Sequence, residues 1–292
     1  MSEGLRPLHD FLREFQKDLL RGWSGARTPS RLSTGFSDLV KLLVGGLARE
    51  SLIVLAGRES MGKTALALSI ARHAAVQSKA VVAYFGHAQP GMEIAARLIA
   101  AESGIQSSRL LAEDLTALES FKLGSALGVL VDTHLYLHGD ATISVNELRS
   151  KTRSLHSEIP LDLIVIDDLF GVVASRQQDS RESHASEACR HLKTLARELG
   201  AAAIALCRVP DTVARRTIRL PQLLDLPGFG PAENHADVVA FLHREDFYDQ
   251  STEKQGGAEI HVMKNRDGYT GAVSILFESR TNRFLDLEVY RD

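Results

Sequence analysis

The stretch of sequence that decides the fold of this chain is Gly57-Arg58-Glu59-Ser60-Met61-Gly62-Lys63-Thr64, which fits the pattern G-x-x-x-x-G-K-[ST]. It lies between an apolar run, Ser51 to Ala56, and an Ala/Leu-periodic stretch, Ala65 to Ala75. The run predicts a strand and the stretch predicts a helix, which is the context that such a loop needs. The sequence therefore predicts a phosphate-binding loop at a strand-to-helix junction.

Each part of this loop has a predicted task. The glycines let backbone N–H groups turn inward around phosphates, and the Lys63 ammonium reaches the β- and γ-phosphates. The Thr64 hydroxyl is expected to ligate Mg²⁺ at the N-terminus of the helix, where the helix dipole favours anions. We therefore expect ATP and Mg²⁺ as ligands. The candidate nucleotide-binding residues of the loop are Gly57, Ser60, Met61, Gly62, Lys63 and Thr64.

Composition excludes several other classes of protein. The chain has 292 residues, 44% hydrophobic and 24% charged, which is typical of a globular protein with a large core. The formal net charge of −3 gives no general attraction to nucleic acid, so a nucleic-acid partner needs a local basic patch. Cys189 and Cys207 are predicted to be small buried thiols in a reduced compartment. Since no secretion signal and no apolar run of about eighteen residues is present, we expect no membrane partner and a cytoplasmic location.

The N-terminal segment differs from the rest of the chain. Five apolar residues recur at helical spacing and predict a helix from about Pro7 to Arg21: Leu8, Phe11, Leu12, Phe15 and Leu19. The turn-rich residues 22–30 are predicted to end the helix and to act as a tether. The spacing fits equally well a helix packed on its own core and a helix packed on a neighbouring subunit.

Strand and helix patterns alternate after the tether, which predicts an α/β fold with a mostly parallel sheet and helices on both faces. Strands are predicted at Ser51–Ala56, Ala80–Phe85, Leu135–His138, Leu161–Ile166 and Ala201–Cys207. Helices are predicted near Ala65–Gln77, Glu93–Ser103, Val145–His156 and Glu182–Leu199. Four later runs have no helices between them and predict antiparallel strands at one edge of the sheet: Ala236–His243, Ala258–Met263, Ala272–Phe277 and Phe284–Val289.

A second nucleotide signal is the apolar strand Leu163-Ile164-Val165-Ile166-Asp167, which ends in a carboxylate. An acid at the carboxyl end of a buried parallel strand faces the crevice where ligands bind. Together with the phosphate-binding loop, this position makes Asp167 the predicted Mg²⁺ partner. The neighbouring Asp168 is expected to alternate away and to contact solvent.

Six segments, in order along the chain, resemble the ATPase domain of the replicative DnaB-type helicases. They are Ser33-Thr34-Gly35-Phe36-Ser37-Asp38-Leu39, the loop Gly57–Thr64, Asn146-Glu147-Leu148-Arg149, Leu163–Asp167, His235-Ala236-Asp237-Val238-Val239 and Lys264-Asn265-Arg266-Asp267-Gly268. The resemblance implies a RecA-like P-loop NTPase core, a homo-oligomeric ring of six subunits, ATP bound between neighbours and single-stranded DNA in the central channel. Other replication proteins are expected as further partners.

The resemblance also divides the chain. Residues 1–32 are expected to form an amphipathic linker helix with its tether, and residues 33–292 the ATPase domain. We expect no counterpart of the family's separate N-terminal helical domain within these 292 residues. Residues 7–21 resemble the family's linker helix, which docks on the adjacent subunit and so favours the second interpretation of the apolar stripe.

Carried over by position, Lys264 and Arg266 are the basic pair that inserts into the neighbour's ATP site. The Arg266 guanidinium follows a predicted strand and precedes Gly268, a place from which it can reach a developing γ-phosphate charge. The alternative is a solvated surface arginine.

Several positions depart from the family pattern. Ala88 stands where the family has a glutamate that polarises the attacking water, and such a base typically contributes about 10²–10⁴-fold to rate. Gln89 and His87 are the conceivable replacements. Phe170 and Arg208 stand where the family has glutamines, and Arg208 is expected either to contact the phosphate or to be a surface charge.

The DNA side departs from the family as well. The family's Arg-Glu-Ser-Gly loop is replaced by Pro227-Gly228-Phe229-Gly230, which keeps the backbone amides of Gly228 and Gly230 but loses the cation. Upstream, Arg215, Arg216 and Arg219 join Arg208, with Asp211 as the only opposing acid, and could follow a phosphate backbone or form a solvated loop.

These residues leave more than one function open. We favour an ATP-binding, ring-forming DNA helicase or translocase of the replication type. The alternatives are a catalytically degenerate relative that binds ATP to assemble with or regulate a partner, and a recombinase-type ATPase.

Overall fold

A computed structural model describes the chain at residues 8–9, 12–13, 16, 31–87, 90–111, 115–139, 143–173, 181–226 and 234–287. The chain divides into two compact units, Met1–Arg31 and Leu32–Asp292, one residue from the predicted boundary. In the first unit, the described residues 8–9, 12–13 and 16 are helical. The rest of the predicted stripe, including Phe11 and Phe15, lies outside the described residues.

Nine strands form the main sheet of the second unit. In chain order they are β1 (Leu52–Gly57), β2 (Val82–Gly86), β3 (Leu135–His138), β4 (Leu163–Asp167), β5 (Ala202–Arg208), β6 (Val238–His243), β7 (Gly257–Asn265), β8 (Gly271–Glu278) and β9 (Arg283–Asp286). Their order across the sheet is β9-β8-β7-β6-β1-β5-β4-β2-β3. Short strands at Arg31–Leu32, Leu47–Ala48, Ile143–Ser144 and Val172–Val173 lie outside this sheet.

The strands from β6 to β3 across the sheet pair in parallel, and β7, β8 and β9 extend the sheet in antiparallel pairs. The predicted mostly parallel sheet with an antiparallel C-terminal edge is therefore confirmed. The prediction was wrong for β6, which is parallel to β1. Residues 209–237 form a connection long enough to return the chain to the starting edge before β6 begins, as a parallel pairing requires.

Seven helices are described in the second unit. They are α1 (Ser37–Leu42), α2 (Lys63–Val76), α3 (Gly91–Ser103), α4 (Ser107–Leu111), α5 (Ala117–Val131), α6 (Val145–Glu158) and α7 (Arg181–Leu199). Short 3₁₀ helices occupy Leu169–Gly171, Asp211–Arg215 and Leu223–Asp225. The sequence patterns did not predict α5, although Thr116 and Glu119 form a capping box at its start.

Two apolar cores cover the two faces of the sheet, because successive side chains of a strand point to opposite faces. In β1, Ile53 and Leu55 belong to one core, whereas Leu52 and Val54 belong to the other. The free thiols of Cys189 and Cys207 are buried, as predicted, and burial raises the pKa of Cys189 to about 12. This two-sided burial fixes β1 at the centre of the unit.

The buried carboxylate of Asp237 ties three elements together at the start of β1. Its Oδ2 accepts hydrogen bonds from the Leu52 N–H at 2.8 Å and from the Lys193 Nζ at 2.6 Å. Its Oδ1 accepts one from Arg266 Nη1 at 3.0 Å. Asp237 therefore links β1, α7 and the residue that follows β7, and it fixes the end of β1 that lies opposite the phosphate-binding loop.

Candidate functional site

The phosphate-binding loop lies between β1 and α2, as predicted. Ser60 and Gly62 both have a positive φ, +62° and +99°, which turns the loop sharply before the first helical residue, Lys63. At Gly62 an added Cβ would stand 3.1 Å from the Phe284 ring, so a side chain would meet both strain and crowding. The N-terminus of α2 therefore opens directly behind a compact turn, the arrangement that binds anions through backbone N–H groups.

Lys63 is held inside this turn. The residue is only 9% exposed, and its Nζ donates a hydrogen bond to the carbonyl oxygen of Arg58 at 2.7 Å. Burial lowers the pKa of Lys63, and the nearby carboxylates of Asp168 and Asp167 oppose that shift. Because the Lys63 ammonium rests on a carbonyl of the same loop, it can move to a phosphate bound by that loop without crossing the cleft.

Asp167 ends β4 beside the start of α2. Its Oδ2 accepts hydrogen bonds from the Thr64 hydroxyl at 2.7 Å and from the buried Tyr84 hydroxyl at 2.9 Å. Burial raises the pKa of Asp167, and the hydrogen bonds from Thr64 and Tyr84 oppose this shift. The Thr64 hydroxyl and the Asp167 carboxylate are hard oxygen donors of the kind that Mg²⁺ prefers, so these residues fit the predicted cation.

A cleft of about 560 Å³ opens over these groups. Six residues predicted from the sequence to bind nucleotide or metal line it: Ser60, Gly62, Lys63, Thr64, Asp167 and Arg208. The predicted Gly57 is the last residue of β1, and the predicted Met61 has its side chain buried in the core, so Met61 can face a ligand only through its backbone. Further lining residues that the sequence patterns did not identify are Arg97, Phe277 and Asn282.

Tyr84 is also new. It lies in an otherwise apolar strand, β2, and only its hydrogen bond to Asp167 distinguishes it from a core aromatic residue. His87, the conceivable base, is buried and lines the cleft, against Gly171. Ala88 and Gln89 lie outside the described residues.

The prediction for Asp168 was wrong. Its side chain is only 12% exposed and its Oδ2 accepts a hydrogen bond from Arg208 Nε at 2.9 Å. The chain enters a 3₁₀ helix directly after β4, and Asp168 caps that helix by accepting the Phe170 N–H at 3.0 Å. Because the strand ends here, side-chain alternation does not carry Asp168 away from the cleft.

Arg266 has an acid partner in its own chain. The Asp237 carboxylate holds its guanidinium at 3.0 Å, although the Arg266 side chain remains 65% exposed. Asp237 pairs with Leu52 at the start of β1, whereas the cleft lies at the other end of that strand, roughly 15 Å away for a strand of this length. Among the described residues that line the chain's own cleft, neither Arg266 nor Lys264 occurs.

The structure partly neutralises the positive charge of the arginines predicted to follow a phosphate backbone, which are Arg208, Arg215, Arg216 and Arg219. Arg216 forms a two-point ion pair with Asp225, at 2.8 Å and 2.5 Å, and Arg219 lies over the Tyr248 ring at 5.2 Å. Asp211 is not the only opposing acid, and it binds Arg58 of the phosphate-binding loop at 2.9 Å. Arg215 is exposed. The predicted Gly228 and Gly230, together with Pro227 and Phe229, lie outside the described residues.

Comparison with known proteins agrees with this geometry. Residues 31–286 match the DnaB-like helicase C terminal domain family. The chain belongs to that family. Its similarity to curated relatives includes 37% identity with the replicative DNA helicase DnaC of Bacillus subtilis (strain 168) over 258 residues, which cover 88% of this chain and 57% of that protein. The replicative DNA helicase DnaB of Geobacillus stearothermophilus is 36% identical, with the same coverage of 88% and 57%.

Solved structures give the same family. One of them, described as an ATPase domain, has a TM-score of 0.88 and 28% identity, and the match covers 97% of this chain and 100% of that one. A DnaB-like replicative helicase, described with its interactions with primase, has a TM-score of 0.85 and 29% identity over 97% of this chain and 68% of that chain. The DnaB-like family and the RecA-like α/β fold predicted from the sequence are thus confirmed.

Two further observations concern how the chain compares in length with its relatives and whether a helix could span a membrane. The chain spans just over half the length of the curated relatives above, 57% in both cases. Within the described ranges, no helix is both long enough and apolar enough to cross a bilayer.

Replacing Asp167 by asparagine should stabilise the ligand-free protein at neutral pH. Burial raises the pKa of Asp167 in the folded state, so the ionised carboxylate opposes folding at any pH above that raised value. Asparagine keeps an oxygen acceptor for Thr64 and Tyr84 without the charge. Chemical unfolding should give a higher free energy of unfolding for Asp167→Asn than for wild type at pH 7, and the difference should shrink as the pH falls through the raised pKa.

The matched control is Glu158→Gln, which removes an exposed carboxylate at the end of α6 and should leave the free energy of unfolding at pH 7 close to that of wild type. A less stable Asp167→Asn protein at pH 7 would contradict this prediction, because it would mean that the attraction between Asp167 and Lys63 outweighs the cost of burying the carboxylate charge.

Proposed function

We propose that this DnaB-like domain binds Mg²⁺-ATP in the cleft over Lys63 and acts as an ATP-driven helicase or translocase ATPase on single-stranded DNA in replication. The observation that carries the proposal is that Lys63, Thr64 and Asp167 all line one cleft. The Thr64 hydroxyl donates a hydrogen bond to the Asp167 carboxylate at 2.7 Å. The names of the curated relatives, replicative DNA helicases, support the substrate and the process. A cytoplasmic location fits this role.

Each residue of the cleft has a proposed task. Lys63 leaves the Arg58 carbonyl and binds the β- and γ-phosphates, and the backbone N–H groups from Ser60 to Thr64 surround them. Thr64 and Asp167 would hold Mg²⁺, which would supply positive charge beside the phosphates. The Arg208 guanidinium, at the end of β5, is a second positively charged side chain of the same subunit, in addition to Lys63.

A catalytic cation from a neighbouring subunit completes the proposed site. Arg266 and Lys264 are the proposed pair, and the position of Arg266 at the opposite end of β1 from its own cleft supports action on another subunit. To reach a neighbour's phosphate, Arg266 has to exchange Asp237 for that phosphate. Because the guanidinium is 65% exposed, this exchange needs little desolvation.

Ala88 favours a second candidate function. If no other group activates the attacking water, the protein binds ATP and assembles with or regulates a partner, without productive turnover. Turnover in the presence of single-stranded DNA separates the two candidates.

Lys63→Ala should weaken Mg²⁺-ATP binding by at least about tenfold, since a hydrogen bond to a charged group contributes on the order of 1.5–3 kcal/mol. Equilibrium titration with ATP measures this effect. Steady-state hydrolysis with and without single-stranded DNA then tests the motor, and the DNA should raise the wild-type rate. Lys122→Ala, a variant at an exposed lysine of α5, is the control and should match wild type in both assays.

Equal ATP affinity in wild type and Lys63→Ala would remove the basis of the proposal. Normal affinity with no turnover, with or without DNA, would instead support the degenerate binding module.

The ring has its own test. We propose a homo-oligomer, six subunits as in the resembling helicases, in which the apolar stripe of residues 7–21 packs on a neighbour. Mass photometry should detect rings with Mg²⁺-ATP, and Phe11→Ala with Phe15→Ala should weaken them because the stripe loses apolar contact area. Arg13→Ala, on the polar face of the same predicted helix, is the matched control. A wild-type protein that is monomeric at all concentrations with ATP would refute this part.

A further inference from the structure

An ion pair in the lining of the cleft joins the ends of two neighbouring strands. Asp168 follows β4, and Arg208 is the last residue of β5, which pairs with both β4 and β1. Both side chains line the cleft together with Lys63. The pair therefore lies within the proposed nucleotide site, beside the phosphate-binding loop.

The geometry of this pair leaves one end of the arginine available. Asp168 binds Arg208 through Nε, at 2.9 Å, and this hydrogen bond uses neither of the two terminal amino groups. One of those groups, Nη1, lies 3.6 Å from the carboxylate of Glu59, which is itself 72% exposed. A solvated partner at that distance holds a guanidinium weakly.

Asp168 is itself fixed. Its Oδ1 accepts the Phe170 N–H at 3.0 Å while its Oδ2 accepts Arg208 Nε, so the two oxygens act on two different elements. The carboxylate is 12% exposed, whereas the arginine that it holds is 52% exposed. A largely buried acid with both oxygens engaged thus anchors a side chain that would otherwise sample many rotamers in solvent.

We propose that Asp168 is a positioning residue that holds Arg208 by Nε and so presents its terminal amino groups to the γ-phosphate of bound ATP. The inference rests on the proposed nucleotide site and adds a residue to it. It assigns to this chain a γ-phosphate contact of its own, in addition to the arginine expected from a neighbour. A planar guanidinium anchored at one edge presents a fixed pair of donors to a phosphate, which is the recognition that arginine does best.

The same contacts allow an opposite outcome. An acid so near the phosphates could compete with them for Arg208 and keep the cleft closed to nucleotide. Positioning and competition predict opposite signs for the loss of Asp168, so one measurement separates them.

The measurement is the ratio of two affinities in the full chain, for the non-hydrolysable ATP analogue AMP-PNP and for ADP, both with Mg²⁺, by isothermal titration calorimetry. Only the analogue has a γ-phosphate, so the ratio reports the contact that Arg208 is proposed to make. In Arg208→Ala, the preference for the analogue should fall by about tenfold, the scale of one hydrogen bond to a charged group. Asp168→Ala should lower this preference by a similar factor.

Two further variants separate positioning from folding. Asp168→Ser keeps a side-chain oxygen for the Phe170 N–H but lacks a second acceptor for Arg208, so it should lower the preference as Asp168→Ala does while preserving thermal stability. Adding Asp168→Ala to Arg208→Ala should have no further effect on the preference, because the residue acts through Arg208. Glu198→Ala removes the acid of an exposed ion pair with Arg153 and is the control that should change nothing.

An unchanged preference in Asp168→Ser would overturn the inference, and so would a higher one, which is the sign of competition. In both cases wild type would still bind nucleotide, and the proposed function would stand. If wild type bound neither ligand, the proposed function would fail and the inference with it.

Discussion

The ammonium of Lys63 is almost completely buried at the carboxyl end of the central strand, and much of the surrounding structure compensates for that burial. Removing a cation from water costs several kcal/mol unless it finds partners. Here the partners are the Arg58 carbonyl, 2.7 Å away, and the nearby charges of Asp168 and Asp167, which keep the pKa of Lys63 from falling further. These groups come from two segments, the phosphate-binding loop and the end of β4, which must therefore converge at one point.

The strand order brings about this convergence. Since β1, β5 and β4 are adjacent and parallel, their carboxyl ends lie at one edge of the sheet. Gly57 opens into the phosphate-binding loop there, Arg208 ends β5 and Asp167 ends β4. At the opposite end of β1, the Asp237 carboxylate accepts hydrogen bonds from several donors, one of which is Arg266. The two ends of one strand thus carry the groups proposed to bind the chain's own nucleotide and the cation proposed for a neighbour's.

Local patterns predicted the cleft well where the chemistry depends on adjacent residues. The loop from Gly57 to Thr64 and the strand ending at Asp167 were both predicted because their function requires a fixed spacing or a fixed position on a strand. Asp168 was misjudged because a turn replaces the strand immediately after Asp167, and cap geometry then decides where the side chain lies. The partner of Arg266 could not be predicted, since Asp237 is distant in sequence and meets it only when β6 pairs with β7. Tyr84 was missed for the same reason, because its role appears only beside β4.

The most direct test of the central claim is a structure of the full chain with Mg²⁺ and a non-hydrolysable ATP analogue. The account predicts that Lys63 Nζ leaves the Arg58 carbonyl for the β- and γ-phosphate oxygens, and that the Thr64 hydroxyl leaves Asp167 to ligate the cation. A nucleotide bound elsewhere, or one bound in the cleft with Lys63 still on the Arg58 carbonyl, would contradict it.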